Sequence, residues 1–216
     1  MSSPYHADPL LVATWVKGWA ISREVAPPVS VYDGSHVTVG WPAQLARYVF
    51  PHLSDGYKEL AATIHEPFIH LKVLDDPEEA RAWLPSRWVI QEPGHMMVCP
   101  VPMTGVAPTL PDGYTVDIQD EITVPLVRIL AADGTTAAAG RIALVDDYII
   151  YDRIETHPDH RRRGLASLVM YTLQQTGFAK GGSKGILVAT AAGRALYTTL
   201  GWKFYAPLTT AIIPGE

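Results

Sequence analysis

Residues 161–167 read Arg161-Arg162-Arg163-Gly164-Leu165-Ala166-Ser167, the only dense basic patch in the chain. Leu165, Leu168, Val169, Thr172 and Leu173 follow at helical spacing, which predicts a helix over about 163–180 with one face for a sheet. The patch therefore sits where a helix begins. The first backbone N–H groups of a helix lack an intrahelical acceptor, and its dipole favours an anion there. A phosphate group has a ready site in such a place. Gly164 admits a close backbone approach, Ala166 keeps the next position small, and Ser167 adds a hydroxyl. The competing reading is a solvated charge run, but cations at a helix start oppose the dipole by a few tenths to ~1 kcal/mol unless an anion is present. A phosphate-loop NTPase is excluded, because the loop lacks the required Gly-Lys-Ser/Thr.

The preceding segment, 148–156, alternates as a strand and carries Asp152 and Glu155. Either carboxylate, alone or through a held water, can take a proton from an amine. Regular strand geometry puts the two on opposite faces, and salt bridges to Arg153 or Arg141 are the competing role. His157 and His160 in the turn are further bases, with an exposed turn position as the alternative.

These elements belong to an ordinary globular chain of 216 residues, 48% hydrophobic and 18% charged, long enough to bury a core without disulfides. A net charge of -5 argues against a general nucleic-acid binder. The lone Cys99 lies among apolar neighbours and reads as a buried inert thiol. His65, His70, His95 and Glu66 show no metal-ligand spacing, so no metal is expected. No membrane span or basic-then-apolar leader is read from the sequence, and a cytoplasmic location is the expectation.

Three regions divide the chain: an N-terminal α/β lobe over 1–103, a Pro- and Gly-punctuated linker over 104–113, and a compact part over 114–216. In the lobe, Asp8 caps a helix to about Arg23, and strands 29–32 and 36–39 flank the Asp33-Gly34 hairpin turn. Pro42 opens a helix to about Val49, and another helix covers 56–65. A strand covers 68–73, a helix runs from Pro77 to about Leu84, and 95–101 is a strand. In the compact part, strands at 114–118, 122–131, 137–145 and 148–156 precede helix 163–180. Strand 184–189, helix 193–200 and strand 202–213 complete it.

Arg-x-x-Gly-x-Ala from Arg161 to Ala166, with its strand, Pro158 turn and long helix, resembles the pyrophosphate motif Gln/Arg-x-x-Gly-x-Gly/Ala of the Gcn5-related N-acetyltransferase (GNAT) superfamily. A second stretch is similar to that family's Asn-x-x-Ala and Leu-Tyr-x-x-Leu-Gly-Phe signature. Leu196, Tyr197, Leu200 and Gly201 match it, while Thr190, Gly193 and Trp202 replace Asn, Ala and Phe. The resemblance covers about 114–216. It implies a mixed, mainly antiparallel sheet flanked by helices, with acetyl-CoA or another short acyl-CoA as co-substrate.

By that resemblance, Arg161, Arg162, Arg163, Gly164, Leu165, Ala166 and Ser167 receive the pyrophosphate. Ile154, Glu155 and Thr156 pair through their backbone with pantetheine, as in strand addition, and Thr190 bonds the same arm. Tyr197 donates a proton to the leaving thiolate, and Glu155 is the candidate base. The family's two acceptor-walling helices have no room between 114 and 131. The N-terminal lobe, with Trp15, Trp19, Trp41, Trp83 and Trp88, is expected to replace them, whether as a degenerate GNAT copy or as in glycine-N-acyltransferase-like members.

The resulting expectation is an N-acyltransferase moving an acetyl or short acyl group onto the primary amine of a small molecule or amino acid. The expected partners are that amine acceptor and, in a homodimer, a second copy of the chain, with no nucleic acid and no membrane. The alternatives are protein or aminoacyl-tRNA acetylation, or a non-catalytic acyl-CoA-binding domain.

Overall fold

The computed structural model describes residues 5–100, 102–120 and 123–215. Val101 at the end of the expected strand 95–101, and Glu121 with Ile122 at the start of the expected strand 122–131, lie outside the described residues, as do residues 1–4.

Contacts gather the chain into two compact units that are not consecutive segments. The first takes Met1–Met97, Val188–Arg194 and Phe204–Glu216; the second takes Val98–Leu187 and Ala195–Lys203. The elements of the first part of the chain are α1 (Pro9–Ser22), β1 (Val29–Val31), β2 (Gly34–Trp41), β3 (Gln44–Phe50), α2 (Asp55–Thr63), β4 (Ile69–Val73), α3 (Pro77–Arg81), β5 (Val89–Ile90) and β6 (Gly94–Cys99). They are followed by β7 (Tyr114–Gln119), β8 (Leu126–Ala131), β9 (Thr136–Val145), β10 (Tyr148–Thr156), α4 (Leu165–Ala179), β11 (Lys184–Ala189), α5 (Ala191–Thr199) and β12 (Lys203–Ile212).

In the first unit, β1, β2 and β3 pair antiparallel, β4 runs parallel to β3, and β12 lies antiparallel to β4 and β5. Asp8 caps α1 as expected, its carboxylate accepting from Leu10 N at 2.9 Å. On one face of the sheet, Tyr57 and Ala61 of α2 and Ala80 of α3 pack with Phe50, Leu71, Val73, Trp88 and Ala211 in a buried cluster.

The expected helix from Pro42 to Val49 is not formed. Pro42 and Ala43 make a tight turn between the register partners Trp41 and Gln44, and the chain returns as β3. Proline's fixed φ suits a turn as well as a first helical turn. Residues 44–50 have β-compatible burial, with Ala46, Val49 and Phe50 all buried in the sheet. The helix from Pro77 ends at Arg81 rather than near Leu84, because Trp83 and Leu84 close short turns back onto Ala80 and Arg81.

In the second unit, β7, β8, β9 and β10 form an antiparallel ladder, and β11 is parallel to β10. α4 packs on β8, β9 and β10. Its buried face is Leu165, Val169, Met170, Tyr171, Leu173, Gln174 and Gly177, so it is rotated from the expected one; Leu168 and Thr172 are half-buried. The rotation brings polar groups inside that hold the segment before β7. Gln174 Oε1 accepts from Met103 N at 2.6 Å, and the Tyr171 hydroxyl donates to Thr104 O. Thr104 N also donates to Leu200 O at 3.0 Å. The expected linker has no regular structure, but its first residues are fastened to α4 and to the end of α5.

Gly140 of β9 is what allows α4 to sit so close. A Cβ built there would stand 2.4 Å from Ile154 Cδ1, 2.8 Å from Val169 Cγ1 and 3.0 Å from Leu173 Cδ1. Gly140→Ala therefore overpacks this face and should cost about 1–3 kcal/mol, read as a lower urea midpoint at unchanged m-value.

Candidate functional site

Register explains why the end of β10 can receive a ligand. β10 pairs with β11 at Tyr148↔Lys184, Ile149↔Gly185 and Ile150↔Ile186, and that register ends there, while β10 itself continues to Thr156 alongside β9. Between Asp152 and Glu155 the β9 register shifts by one residue, and Arg153 inside the shift has φ +50°. This is a β-bulge, which bends and twists the bulged strand. Past it, His157 N donates to Ala137 O at 2.8 Å. By two-residue alternation, the backbone groups of Glu155 also face β9, and those of Thr156 face away from it. Of the three residues expected to pair with pantetheine, Thr156 presents outward backbone groups and Ile154 lies inside the bulge.

The bulge also corrects the expected placement of the carboxylates. Asp152 is the partner of Arg141 and Glu155 of Ala139, two residues apart on β9, so Asp152 and Glu155 share one face. It is the face opposite Gly140 and α4. The inserted residue cancels the half-period that a regular strand would impose. Glu155 is exposed and Asp152 half-buried. Thr156 points to the α4 side, and its hydroxyl is buried with no hydrogen-bond partner among the described residues.

The turn after β10 is a single 3-10 turn, Pro158–His160, closed by His160 N to His157 O and Arg161 N to Pro158 O. Arg161 is extended, Arg162 has φ +63°, and Gly164 has φ +78° at the N-cap of α4. No side chain caps α4. Gly164 takes the left-handed conformation without a Cβ penalty, and Pro108 lies just beyond the place a Cβ would occupy, at 3.6 Å. The α4 start thus presents the amides of Leu165, Ala166 and Ser167 beside three exposed guanidiniums, with only Leu165 buried by its side chain.

The three arginines are not equivalent. Arg163 Nη1 donates to the Tyr114 hydroxyl at 3.0 Å, and that hydroxyl lies 2.8 Å from His160 Nδ1. The phenol oxygen accepts from Arg163 and shares a hydrogen bond with the imidazole, so β7 braces the turn. His157 turns inward on its own loop, Nδ1 accepting from Asp159 N at 3.4 Å. Both histidines are thus occupied in holding the loop. Tyr114 was not singled out by sequence spacing; an aromatic far along the chain carries no local signal of this contact.

Tyr197 is the one buried side chain of α5, 7% exposed. Its ring meets Trp202 at 6.2 Å, and Trp202 meets Tyr151 of β10 at 5.1 Å, edge-on. Tyr151 is the first residue of β10 after the β11 register ends. The aromatic cluster therefore lies at one end of the free edge and the arginine loop at the other, roughly 16 Å apart along the strand at ~3.3 Å per residue. Burial pushes the Tyr197 phenol up to about 12, so it is protonated at neutral pH. No hydrogen bond to its hydroxyl is made among the described residues. Thr190 is exposed and caps α5, its Oγ1 accepting from Gly193 N at 3.2 Å. Its O–H remains able to donate elsewhere.

Among the described residues no helix is long and apolar enough to cross a membrane, and no group of three or more His, Cys, Asp or Glu is placed to hold a metal ion.

A search of curated proteins finds no match to the chain. Among solved structures, the fold is similar to a GCN5-related N-acetyltransferase from Kribbella flavida, with a TM-score of 0.69 at 15% identity over 95% of this chain and 96% of that one. It is also similar to a GCN5-related N-acetyltransferase-like protein from Streptococcus suis, with a TM-score of 0.57 at 11% identity over 94% and 97%. A tandem GNAT protein from the clavulanic acid biosynthesis pathway matches with a TM-score of 0.54 at 13% identity over 74% and 68%. At these identities the likeness establishes the fold. The sequence model of the Acetyltransferase (GNAT) family matches residues 102–202, the stretch that holds β7 to α5, the arginine loop and Tyr197. Residues 102–202 thus match the GNAT family, and the fold of the chain is similar to that of GNAT structures.

Proposed function

We propose that the protein moves an acetyl or short acyl group from acyl-CoA directly to the primary amine of a small molecule or amino acid. The observation that carries this is the free edge of β10, bounded by an uncapped helix start with three arginines and by a buried phenol. An extended arm carrying two amides suits that edge. Ile154 and Thr156 would pair with the amides, and Leu165, Ala166 and Ser167 would donate to the pyrophosphate. Arg161 and Arg162 would add positive charge, with Gly164 allowing the approach. Arg163, already bonded to Tyr114, would act mainly by fixing the loop.

In the transfer, the unprotonated amine attacks the thioester carbonyl carbon, the C–S bond breaks, and the thiolate takes a proton. Tyr197 is the proposed donor. A phenol near pKa 12 is a poor acid toward a thiol of ordinary pKa near 8.5 in water. Desolvation raises the thiol's pKa as well, so a buried pair is better matched, and hydrogen bonding alone already steadies the thiolate. Glu155, directly or through water, is the proposed acceptor of the amine's proton, and Thr190 is a further contact to the arm.

The division into a lobe over 1–103, a linker over 104–113 and a catalytic part over 114–216 remains part of this proposal. Its support is topological. β3, α2, β4 and α3 repeat the order of β10, α4, β11 and α5, each with a parallel strand pair around the first helix. That favours a degenerate second copy of the fold.

Calorimetry should detect coenzyme A binding to the purified chain; no affinity at millimolar ligand would remove the proposal. Tyr197→Phe should lower kcat on an acetyl-CoA and amine panel about 10²-fold, measured as free thiol, while coenzyme A affinity stays near wild type. Full activity in that variant would reject the proton-donor role.

Burial also makes stability depend on alkaline pH. The folded chain keeps the Tyr197 proton above the ordinary phenol value of 10.0, up to about 12, whereas the unfolded chain releases it. Folding stability should therefore fall as pH rises through that window. Tyr57 and Tyr151, raised by burial in the same direction, contribute too. Denaturation midpoints from pH 9 upward should decline less steeply in Tyr197→Phe.

A further inference from the structure

The first unit's sheet has a second face, against which α1 packs over β2 and β3. Arg47 of β3 and His70 of β4 are register partners. Lys72 follows two residues along β4 on that same face, and is itself the partner of Thr210 on β12. Lys72 Nζ donates to Thr210 Oγ1 at 2.7 Å, a neutral acceptor. His70 Nε2 lies 3.2 Å from Ala43 O. The Arg47 guanidinium stacks on Trp19 of α1, with Cζ 3.2 Å from the ring centroid, and Arg23 stands 5.6 Å from the same ring.

Every element around this cluster has the same charge bias. α1, β2, β3, β4 and β12 contain no Asp or Glu, in a chain with 22 acidic residues and a net charge of -5. Of the carboxylates that flank these elements, Asp8 caps α1, Asp33 accepts from Ser54, and Asp75, just after β4, acts on Tyr57 on the opposite face. Burial, and then the Arg47 charge, hold Lys72 well below the ordinary lysine range; burial, and then Lys72, bring His70 to about 4. Cations gathered in a desolvated place raise each other's cost, and a shared anion lowers it.

We propose that Lys72, Arg47 and Thr210, with His70 at the side, form a binding site for a small oxyanion, a carboxylate or phosphate group. A compact ammonium, a planar guanidinium and a hydroxyl on one sheet face are the donors such a group takes. An anion bound there favours the charged form of the lysine over the neutral one. The inference does not depend on the acyl-transfer reading, because none of its residues belongs to the arginine loop or to β10.

Calorimetry on the full chain tests it, with sodium succinate and inorganic phosphate as separate probes, at ionic strength held constant with chloride. The expected result is a binding event that Lys72→Met weakens roughly tenfold or more. The probe that gives the event identifies the oxyanion. Phosphate can also meet residues 161–167, so only the part lost in Lys72→Met counts. If neither probe binds the wild type, or Lys72→Met keeps wild-type affinity for both, the site does not exist. Should Lys72→Met fail to fold, Thr210→Val removes the hydroxyl and leaves every charge. It should also weaken binding, and the wild-type Tm should rise with the binding probe beyond any rise from chloride; absence of both effects rejects the proposal.

Discussion

The second unit depends on one strand that outruns its neighbour. β10 stays hydrogen-bonded to β9 along its length, but its register with β11 stops at Ile150. An open strand edge presents N–H and C=O groups that need partners, and proteins ordinarily cover or shorten such edges. Here the edge ends in a loop with a surplus of donors: uncapped amides at the start of α4 and three exposed arginines. A ligand that is an amide chain at one end and a diphosphate at the other satisfies both deficits at once.

Keeping that loop in place takes backbone conformations that only surrounding contacts can hold. Arg153, Arg162 and Gly164 all have positive φ, and for the two arginines this costs on the order of 1–2 kcal/mol each. The bulge at Arg153 bends β10 and the turn at Arg162 re-aims the chain into α4. Tyr114 reaches from β7 to both His160 and Arg163. α4 is pressed to the sheet at Gly140 and Gly177, where a Cβ would stand 2.4 and 2.5 Å from isoleucine methyls. The loop is therefore set by the sheet beneath it, and its charge is free to act on what lies outside.

Much of this was legible from residue order. β10 and β11 fall on the expected ranges, and α4, α2 and β9 differ only at their ends. Strong alternation in one case and apolar residues three or four apart in the other leave few alternatives. The helix start at residues 163–165 follows from glycine and arginine chemistry that is local in sequence. What failed was set by tertiary pairing. Pro42 is compatible with a turn or a helix start, and only the partnership of Trp41 with Gln44 decides between them. The common face of Asp152 and Glu155 depends on a bulge, and the positive φ of Arg153 has no residue-type signal. Tyr114, 46 residues from His160, was equally hidden.

The same order of elements occurs in the first unit with the opposite outcome, which isolates the cause. There β3 and β4 stay paired from Ala46↔Ile69 to Phe50↔Val73, so the strand entering the crossover reaches its end with β4 still beside it. The start of α2 is also filled. Ser54 Oγ accepts from Tyr57 N at 3.2 Å and donates to Asp33, whose carboxylate lies 3.4 Å from His52 Nε2, and the Tyr32 side chain covers Gly56. A side-chain cap and a carboxylate of the chain itself stand where the second unit has bare amides and guanidiniums. A parallel strand pair around a helix thus does not by itself leave an open edge beside bare donors. That arrangement arises where the first strand outlasts its partner and the helix begins on glycine with no cap of its own, and among the described residues only the crossover from β10 to β11 combines both.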